Sequence, residues 1–142
     1  MKPALPDYHT HTLRCGHAEG RAADYVDAAR AAGLLALGIA DHLPLLPDPD
    51  PELSMPLCEL PGYVAEVLSL KTLYPDYVLL GIEADYRRET VDEVAALLSS
   101  QPFDYVIGSV HFIGDWAFDD PRQIDRYVGR DIDTLWVDYL EL

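Results

Sequence analysis

Basic residues are scarce in this 142-residue sequence, in which 10 Lys and Arg stand against 25 Asp and Glu and the formal net charge is −15. A protein surface with this excess of negative charge repels phosphate backbones and anionic lipid headgroups. Nucleic acids and anionic membrane surfaces are therefore not expected among the partners of the protein. The same acidity suits a protein that collects cations, although acidic surfaces are also common for solubility alone.

Long apolar runs are absent as well. The longest continuous one, from Gly33 to Ala40, is too short to cross a bilayer, and residues 1–6 contain no apolar run of the length that a signal sequence needs. The two cysteines, Cys15 and Cys58, form no Cys-x-x-Cys pair, and no disulfide is indicated. Together these absences predict a protein of the reducing cytoplasm with no membrane association.

Apolar residues make up 49% of the chain, which is enough for the core of one domain. Four apolar segments alternate with four segments whose apolar residues recur at helical spacing, and this alternation predicts an α/β fold built from parallel β/α units. The predicted strands are residues 5–8, 34–40, 77–82 and 105–110, and the predicted helices are residues 21–32, 62–74, 90–98 and 131–142. Residues 44–61, with six prolines, and residues 114–129 are predicted to contain no regular element.

A candidate metal ligand follows each predicted strand. In chain order the candidates are His9 and His11 after the first strand, His17 in the loop that follows, His42 after the second strand, Glu83 after the third and His111 after the fourth. No other histidine occurs in the sequence. Because the carboxyl ends of parallel strands meet at one edge of a sheet or barrel, these six side chains are predicted to converge there.

The spacing of His9 and His11 has a physical reason. Residues two apart on an extended chain point to the same side, so both imidazoles can bind one cation while Thr10 faces away. Neutral imidazoles combined with a carboxylate suit zinc, manganese or iron better than calcium. The carboxylate of Glu83 can bridge two such ions, which no histidine can do.

Each of these residues also has an ordinary alternative when it is considered alone. A His-x-His pair occurs by chance on protein surfaces, His42 could be a hydrogen-bonded loop residue, and His111 could be a buried histidine with satisfied hydrogen bonds. His17 is similarly weak by itself, and Glu83 could be a surface carboxylate. Their joint placement at strand ends favours the metal site.

Two further residues are candidates for supporting roles. Asp41 could orient a metal-bound histidine by accepting a hydrogen bond from its second ring nitrogen. Arg14 could contact a substrate phosphate, for which a guanidinium is well shaped, or it could be a solvated side chain. Arg87 and Arg88 carry the same ambiguity, and Cys15 is expected to be a small buried thiol.

Five segments of the chain resemble motifs of the polymerase and histidinol phosphatase (PHP) superfamily, and most closely those of its histidinol-phosphate phosphatase branch. They occur in the family's order from about Pro6 onwards, and the segments at residues 83–86 and 105–111 favour that branch over the polymerase branch. The matching segments are Asp7-Tyr8-His9-Thr10-His11-Thr12, Cys15-Gly16-His17-Ala18-Glu19-Gly20, Ala40-Asp41-His42-Leu43-Pro44, Gly81-Ile82-Glu83-Ala84-Asp85-Tyr86 and Phe103-Asp104-Tyr105-Val106-Ile107-Gly108-Ser109-Val110-His111.

This resemblance implies a distorted (β/α) barrel that holds up to three divalent metal ions (zinc, manganese or iron) at the mouth formed by the carboxyl ends of its strands. The ligand sets that it implies are His9, His11 and Glu83 for one ion, Glu83 and His111 for the second, and His17 and His42 for the third. The implied reaction is hydrolysis of a small phosphorylated metabolite. L-histidinol phosphate would give L-histidinol and phosphate, in histidine biosynthesis, by attack of a metal-bound hydroxide on phosphorus.

The chain departs from the family pattern in its length. A complete α/β barrel generally needs about 200 residues or more, and the later family motifs, which supply a further histidine and an Asp-x-His pair, have no counterpart here. Residues 1–142 are therefore expected to form a single PHP domain, incomplete on its carboxyl-terminal side, with about four parallel strands and flanking helices. The open barrel edge is expected to favour self-association. Another PHP-type phosphoesterase and a non-catalytic metal-binding or assembly module are the alternative functions.

Overall fold

The computed structural model describes residues 4–142, which form an α/β fold with parallel strands and flanking helices, as predicted. The strands are β1 (Asp7–Thr10), β2 (Leu37–Ile39), β3 (Val78–Leu80), β4 (Glu83–Asp85), β5 (Ile107–Ser109), β6 (Phe112–Ile113) and β7 (Trp116–Ala117). The α-helices are α1 (Ala22–Ala32), α2 (Leu60–Leu73), α3 (Val91–Ser99) and α4 (Ile132–Leu140), and the 3-10 helices are Leu13–Cys15, Leu57–Glu59 and Pro121–Tyr127. No helix in the described part of the chain is both long and apolar enough to span a membrane.

Two sets of parallel strands form the body of the fold. Strand β2 lies between β1 and β3 and is parallel to both, while β4 pairs in parallel with β5. A single parallel bridge between His42 and Glu83 joins the two sets. There the Leu43 N–H donates to the Glu83 carbonyl at 2.7 Å, and the Glu83 N–H donates to the Asp41 carbonyl at 3.0 Å. The bridge brings the carboxyl end of β2 beside β4, and the strands of residues 4–142 do not close into a barrel.

Helices α1 and α2 pack on the first sheet and on each other. Ile39 and Leu80 of neighbouring strands, with Val26 of α1 and Val67 of α2, are at most 1% exposed. Each such aliphatic side chain contributes about 1.5–3 kcal/mol relative to leaving it in water. The hydroxyl of Tyr63, also in α2, donates a hydrogen bond to the Ile39 carbonyl at 2.8 Å, which satisfies a polar group inside this core.

Tyr105 lies across the first sheet at two glycines. Its ring packs against Gly38 of β2 and Gly81 after β3, where any Cβ atom would overlap the phenol ring. Its hydroxyl donates a hydrogen bond to the carbonyl of Tyr8 in β1 at 2.6 Å. The segment that leads into β5 is thereby fixed against the three strands of the first sheet.

The predicted third strand, residues 77–82, is wrong in its extent. Strand β3 ends at Leu80, and after Gly81 and Ile82 the chain leaves its pairing with β2. Glu83 then begins β4, which pairs with β5 instead. Glu83 is therefore the first residue of a strand rather than the residue after one. The first strand is also shifted, because β1 includes His9.

The two segments predicted to be irregular both contain regular elements. In residues 44–61 a 3-10 turn precedes α2, which begins at Leu60 with Pro61 in its first turn. Proline is compatible with that position because the first turn of a helix has no partner for its N–H groups. In residues 114–129, β7 forms an antiparallel hairpin with β6, and a 3-10 helix follows.

Candidate metal centre

The side chain of Glu83 is the centre around which the histidines gather. It is 3% exposed. One carboxylate oxygen lies 2.7 Å from Nε2 of His9, 3.2 Å from Nε2 of His11 and 3.6 Å from Nε2 of His42, and the other lies 3.7 Å from Nε2 of His111. Four imidazoles from three parts of the chain thus direct the same ring nitrogen at one buried carboxylate.

Strand β1 orients two of these imidazoles. Because side chains alternate along a strand, His9 and His11 project to the same side, and their ring centroids are 5.0 Å apart. Thr10 faces the other way and donates its hydroxyl to the Gly38 carbonyl at 2.8 Å. The structure therefore brings His9 and His11 together as the His-x-His spacing predicts.

His17 joins the group through the turn after β1. Its Nδ1 lies 3.0 Å from the Cys15 carbonyl, a contact that leaves Nε2 available to a cation. Its ring centroid is 5.3 Å from those of both His11 and His42, and the rings of His11 and His42 stack at 4.8 Å. His11, His17 and His42 could together hold one ion, since one nitrogen from each lies within 4.8 Å of the others.

Asp85 is a site residue to which the sequence analysis assigned no role. It accepts hydrogen bonds from Nδ1 of His111 at 2.7 Å and from the His111 backbone N–H at 3.2 Å, and it lies 3.8 Å from Nδ1 of His42. This carboxylate fixes the His111 ring with Nε2 turned toward Glu83. The signal was present in the sequence, because Asp85 follows Glu83 at the two-residue spacing of a strand face.

Charge and burial move the pKa values of three groups. Burial raises the pKa of Glu83, but hydrogen bonds from His11 and His9 outweigh it and hold that pKa well below its usual range. Burial lowers the pKa of His42 to about 4. The hydrogen bond to Asp85 raises the pKa of His111. Near neutral pH the centre therefore holds an ionised carboxylate and a neutral His42, both in the protonation state that binds metal.

Asp41 does not accept a hydrogen bond from an imidazole within residues 4–142. Its buried carboxylate accepts from the backbone N–H and hydroxyl of Thr12 and from the thiol of Cys15 at 3.1 Å. The Cys15 sulfur in turn lies 3.5 Å from Nδ1 of His11 and accepts the His42 backbone N–H at 3.0 Å. Asp41 thus contacts the buried thiol of Cys15, and that thiol contacts His11 and His42. The role of Asp41 in orienting a histidine stays a prediction.

Arg14 lies against two acidic residues near the start of α2. Its guanidinium is 2.9 Å from the Glu59 carboxylate and 2.7 Å from that of Glu66. These two carboxylates already occupy donors that a phosphate would need. The predicted contact between Arg14 and a substrate phosphate stays a prediction.

A cavity of about 140 Å³ opens beside the imidazoles. It is lined by four residues of the cluster and by five others, which are His17, His42, Asp85 and His111, and Leu45, Leu53, Phe112, Ala117 and Asp119. The histidine cluster is therefore reachable from a partly apolar space large enough for a small organic group.

The donor set fits divalent cations. One buried carboxylate cannot pair with four imidazole nitrogens at once, so their lone pairs lack partners unless protons or cations lie among them. In two groups, His9 with His11 and Glu83, and His42 with Asp85 and His111, the candidate ligand atoms lie within 4.8 Å of one another. Imidazole and carboxylate ligands at this spacing suit zinc, manganese and iron.

Comparison with known proteins agrees with this chemistry. The model of the PHP domain family matches residues 7–141. A probable histidinol-phosphatase of Deinococcus radiodurans is 41% identical over 140 residues, which are 97% of this chain and 54% of the relative. A probable histidinol-phosphatase of Schizosaccharomyces pombe is 29% identical over 151 aligned residues, covering 94% of this chain and 48% of the relative.

One solved structure is also similar. The histidinol phosphate phosphatase of Lactococcus lactis, crystallised with zinc, L-histidinol and phosphate, superposes with a TM-score of 0.67 and 31% identity. The match covers 78% of this chain and 41% of that one. The chain spans about half the length of the curated relatives that it matches and corresponds to their amino-terminal part.

Proposed function

The chain belongs to the PHP domain family, and from that membership we propose that it carries the metal-binding amino-terminal part of a phosphomonoester hydrolase whose substrate is L-histidinol phosphate. The observation that carries the proposal is the set of four Nε2 atoms within 3.7 Å of the Glu83 carboxylate. A relative with 31% identity was crystallised with zinc, L-histidinol and phosphate, which supports both the cation and the substrate.

We propose that up to three divalent ions, zinc, manganese or iron, bind here. His9, His11 and Glu83 would hold one ion, Glu83 and His111 the second, and His17 and His42 the third. The distances around Glu83 support its bridging role, because its two oxygens face different histidines. The closeness of His11 to His17 and His42 adds a possibility that the family resemblance did not suggest, in which His11 contributes to the third ion.

When bound, the cations would neutralise charge on the phosphate oxygens and activate water for attack on phosphorus. The residues of the chain prepare the site for this. Asp85 holds the His111 ring by its Nδ1, and the Cys15 carbonyl holds the His17 ring in the same way, so both rings keep Nε2 toward the cluster. His9, whose side chain is 52% exposed, leaves the cluster open to water.

We propose that the described strands are part of a distorted (β/α) barrel and that residues 1–142 belong to one PHP domain. The parallel bridge between His42 and Glu83 supports this, because it connects the pair of β4 and β5 to the carboxyl end of β2. Strand β5 pairs with β4 on one side only among the described strands. The chain is therefore expected to self-associate through that edge, and sedimentation velocity showing only monomer at all concentrations would contradict this.

A second candidate function is a non-catalytic metal-binding module. The half-exposed His9 and the open side of the cluster favour it, since a catalytic centre generally excludes bulk water. Another small phosphoester is the third candidate, because the imidazole cluster itself does not select the organic part of the substrate.

The deciding experiment measures metal content and phosphate release on the same purified protein. We expect bound zinc, manganese or iron by elemental analysis and phosphate release from L-histidinol phosphate faster than from phenyl phosphate. Chelated protein is the control and should release none. Bound metal without phosphate release from any ester would favour the non-catalytic module, and equal rates on both esters would favour a different substrate.

A further inference from the structure

Asp119 is a half-exposed carboxylate without a Lys or Arg partner among residues 4–142, and it lines the cavity beside the histidines. It follows β7, its side chain is 52% exposed, and one of its oxygens lies 3.8 Å from Nε2 of His111. Within residues 4–142 no Lys or Arg nitrogen comes within 4.0 Å of it. A free carboxylate in that position attracts cations from solvent.

The neighbouring acidic residues are paired. Arg122 contacts Asp120 at 2.8 Å and Asp50 at 2.7 Å, and a further nitrogen of the same guanidinium contacts Glu52. One arginine thus contacts three neighbouring carboxylates, and none of its nitrogens comes within 4.0 Å of Asp119. Asp119 is therefore the rim carboxylate that remains free to bind a cation.

The backbone around Asp119 is held in place. The Phe118 N–H donates to the His111 carbonyl at 3.1 Å, and the Tyr127 hydroxyl donates to the Phe118 carbonyl at 2.6 Å. Asp120 accepts the Arg122 backbone N–H at 2.8 Å, which fixes the turn after Asp119. The free carboxylate is consequently presented at a defined distance from the histidine cluster.

The other side chains that line the cavity indicate what kind of group would lie beside Asp119. Leu45, Leu53 and Ala117 are apolar, and Phe112 presents a ring. An organic group in this space would lie on apolar side chains with one negative charge at its edge. The fitting ligand is an organic phosphomonoester with an ammonium close to the ester oxygen, its phosphate at the imidazoles.

We propose that Asp119 is a specificity-determining residue that contacts the ammonium of a phosphomonoester whose organic part carries one. The proposal rests on the proposed function, because it takes the histidine cluster as the place where the phosphate binds. L-histidinol phosphate satisfies this chemistry, and an analogue in which hydrogen replaces its ammonium does not.

The test compares these two esters on the metal-loaded protein above pH 7, where the imidazole of each ester is neutral. We expect Asp119→Asn to lower kcat/KM for L-histidinol phosphate about 10-fold and to change that of the deamino analogue less than about 2-fold. Asp115→Asn is the matched control, because it removes the same charge from the β6–β7 turn at a side chain that is 88% exposed, and it should change neither.

Two results would overturn the proposal. Equal losses on both esters, accompanied by a lower metal content, would mean that Asp119 contacts the cation instead of the substrate. No change on either ester would mean that Asp119 contacts neither.

Binding of L-histidinol to the zinc-loaded protein, measured by calorimetry, separates this inference from the proposed function. If no ester is hydrolysed but Asp119→Asn weakens L-histidinol binding about 10-fold, the assignment of Asp119 holds and the hydrolase proposal fails. If both esters are hydrolysed and Asp119→Asn acts on neither, the hydrolase proposal holds and this one fails. If L-histidinol does not bind, the assignment is wrong.

Discussion

The amino-terminal region (residues 4–85) and the carboxyl-terminal region (residues 107–142) are held together by different forces. Every fully buried member of the main apolar core, from Ala22 to Ala84, belongs to the first region. In the second, the described residues include only three buried apolar side chains, those of Trp116, Ala117 and Leu135, while Val128 and Leu140 are 81% and 77% exposed.

Aromatic and charged contacts organise the carboxyl-terminal region instead. The guanidinium groups of Arg126 and Arg130 lie 5.4 and 4.8 Å from the centre of the Trp116 ring, and Tyr127 meets that ring edge-on at 4.6 Å. Each such contact contributes about 0.5–2 kcal/mol and depends on solvent exposure. The region therefore has less stability to lose from any single change.

The two regions divide the proposed site between them. His9, His11, His17, His42 and Glu83 project from the region with the packed core, which fixes their spacing. His111 follows the last strand of the second pair, and Asp119 belongs to the weakly packed region. Five of the six proposed cation ligands are therefore supported by the packed core, whereas His111 and Asp119 belong to the region that depends on aromatic and charged contacts.

The largest expected effect tests whether the two regions differ in how much stability their buried side chains contribute. Leu80→Ala, at a fully buried position of β3, should lower the free energy of unfolding by about 2–5 kcal/mol. Leu135→Ala in α4 should cost less, about 1–2 kcal/mol, because Leu135 already lines a cavity. Urea denaturation of both variants measures the difference, and equal losses would break the comparison.

The next effect concerns Glu83, the carboxylate at the centre of the histidine cluster. Glu83→Gln removes the charge that faces four imidazoles, and we expect zinc affinity to fall about 100-fold, with phosphate release lost in proportion. Glu89→Gln, at an exposed position nearby, is the control and should leave both unchanged. Competition with a chromophoric chelator measures the affinity, and undiminished zinc binding by Glu83→Gln would remove it from the ligand set.

In the metal-free protein, lowering the pH should change the free energy of unfolding in opposite directions through His42 of the amino-terminal region and His111 of the carboxyl-terminal region. The pKa of His42 falls to about 4 through burial, below its unfolded value near 6.5, so its contribution to stability is present above that value and is lost as pH drops toward 4. The pKa of His111 is raised by Asp85, so its contribution is present at low pH and is lost as pH rises through its folded pKa.

Between pH 7 and pH 5 we therefore expect the free energy of unfolding to fall by about 1–2 kcal/mol through His42. His42→Gln should flatten this decline, and His111→Gln should steepen it. Urea midpoints recorded across the range for the three chelated proteins measure the slopes. The same slope in all three would show that neither imidazole is responsible.

The smallest effect belongs to the ion pairs that Arg122 of the carboxyl-terminal region forms. Arg122→Ala removes contacts with three carboxylates, and the loss of stability should be smaller than that of Leu135→Ala because the guanidinium is solvated. The loss should also shrink in about 0.5 M salt, whereas that of Leu80→Ala should not. Arg122→Lys keeps the charge and serves as control, and a loss independent of salt would contradict the electrostatic origin.

The positions of the six ligand candidates could be predicted from the sequence because the rule that gathers them is topological. Parallel strands share an edge whatever their side chains do, so His11 after one strand and His42 after another had to meet. Asp85 was not recognised, because its role follows from β4 beginning at Glu83, and a single apolar run from residue 77 concealed that start.

Contacts between side chains distant in sequence could not be predicted. Asp41 was expected to meet an imidazole, but the 3-10 turn at Leu13–Cys15 brings Thr12 and Cys15 to its oxygens first. Asp119 lies in a segment whose sequence shows no periodicity. Asp119 has no Lys or Arg partner among residues 4–142 because Arg122 contacts other carboxylates, among them that of Glu52, 70 positions away in sequence.

Tyr105 has a consequence for the order in which the protein folds. Its hydroxyl meets the Tyr8 carbonyl across 97 positions of sequence, and the two glycines that accommodate its ring belong to different strands. Contacts of that separation form late, after the sheet that receives them. On the ribosome, the imidazoles of His9, His11, His17 and His42 would emerge before Glu83 is synthesised, and β5 would be the last of the parallel strands to dock. Capture of cations in the proposed arrangement would then await the final stage of folding.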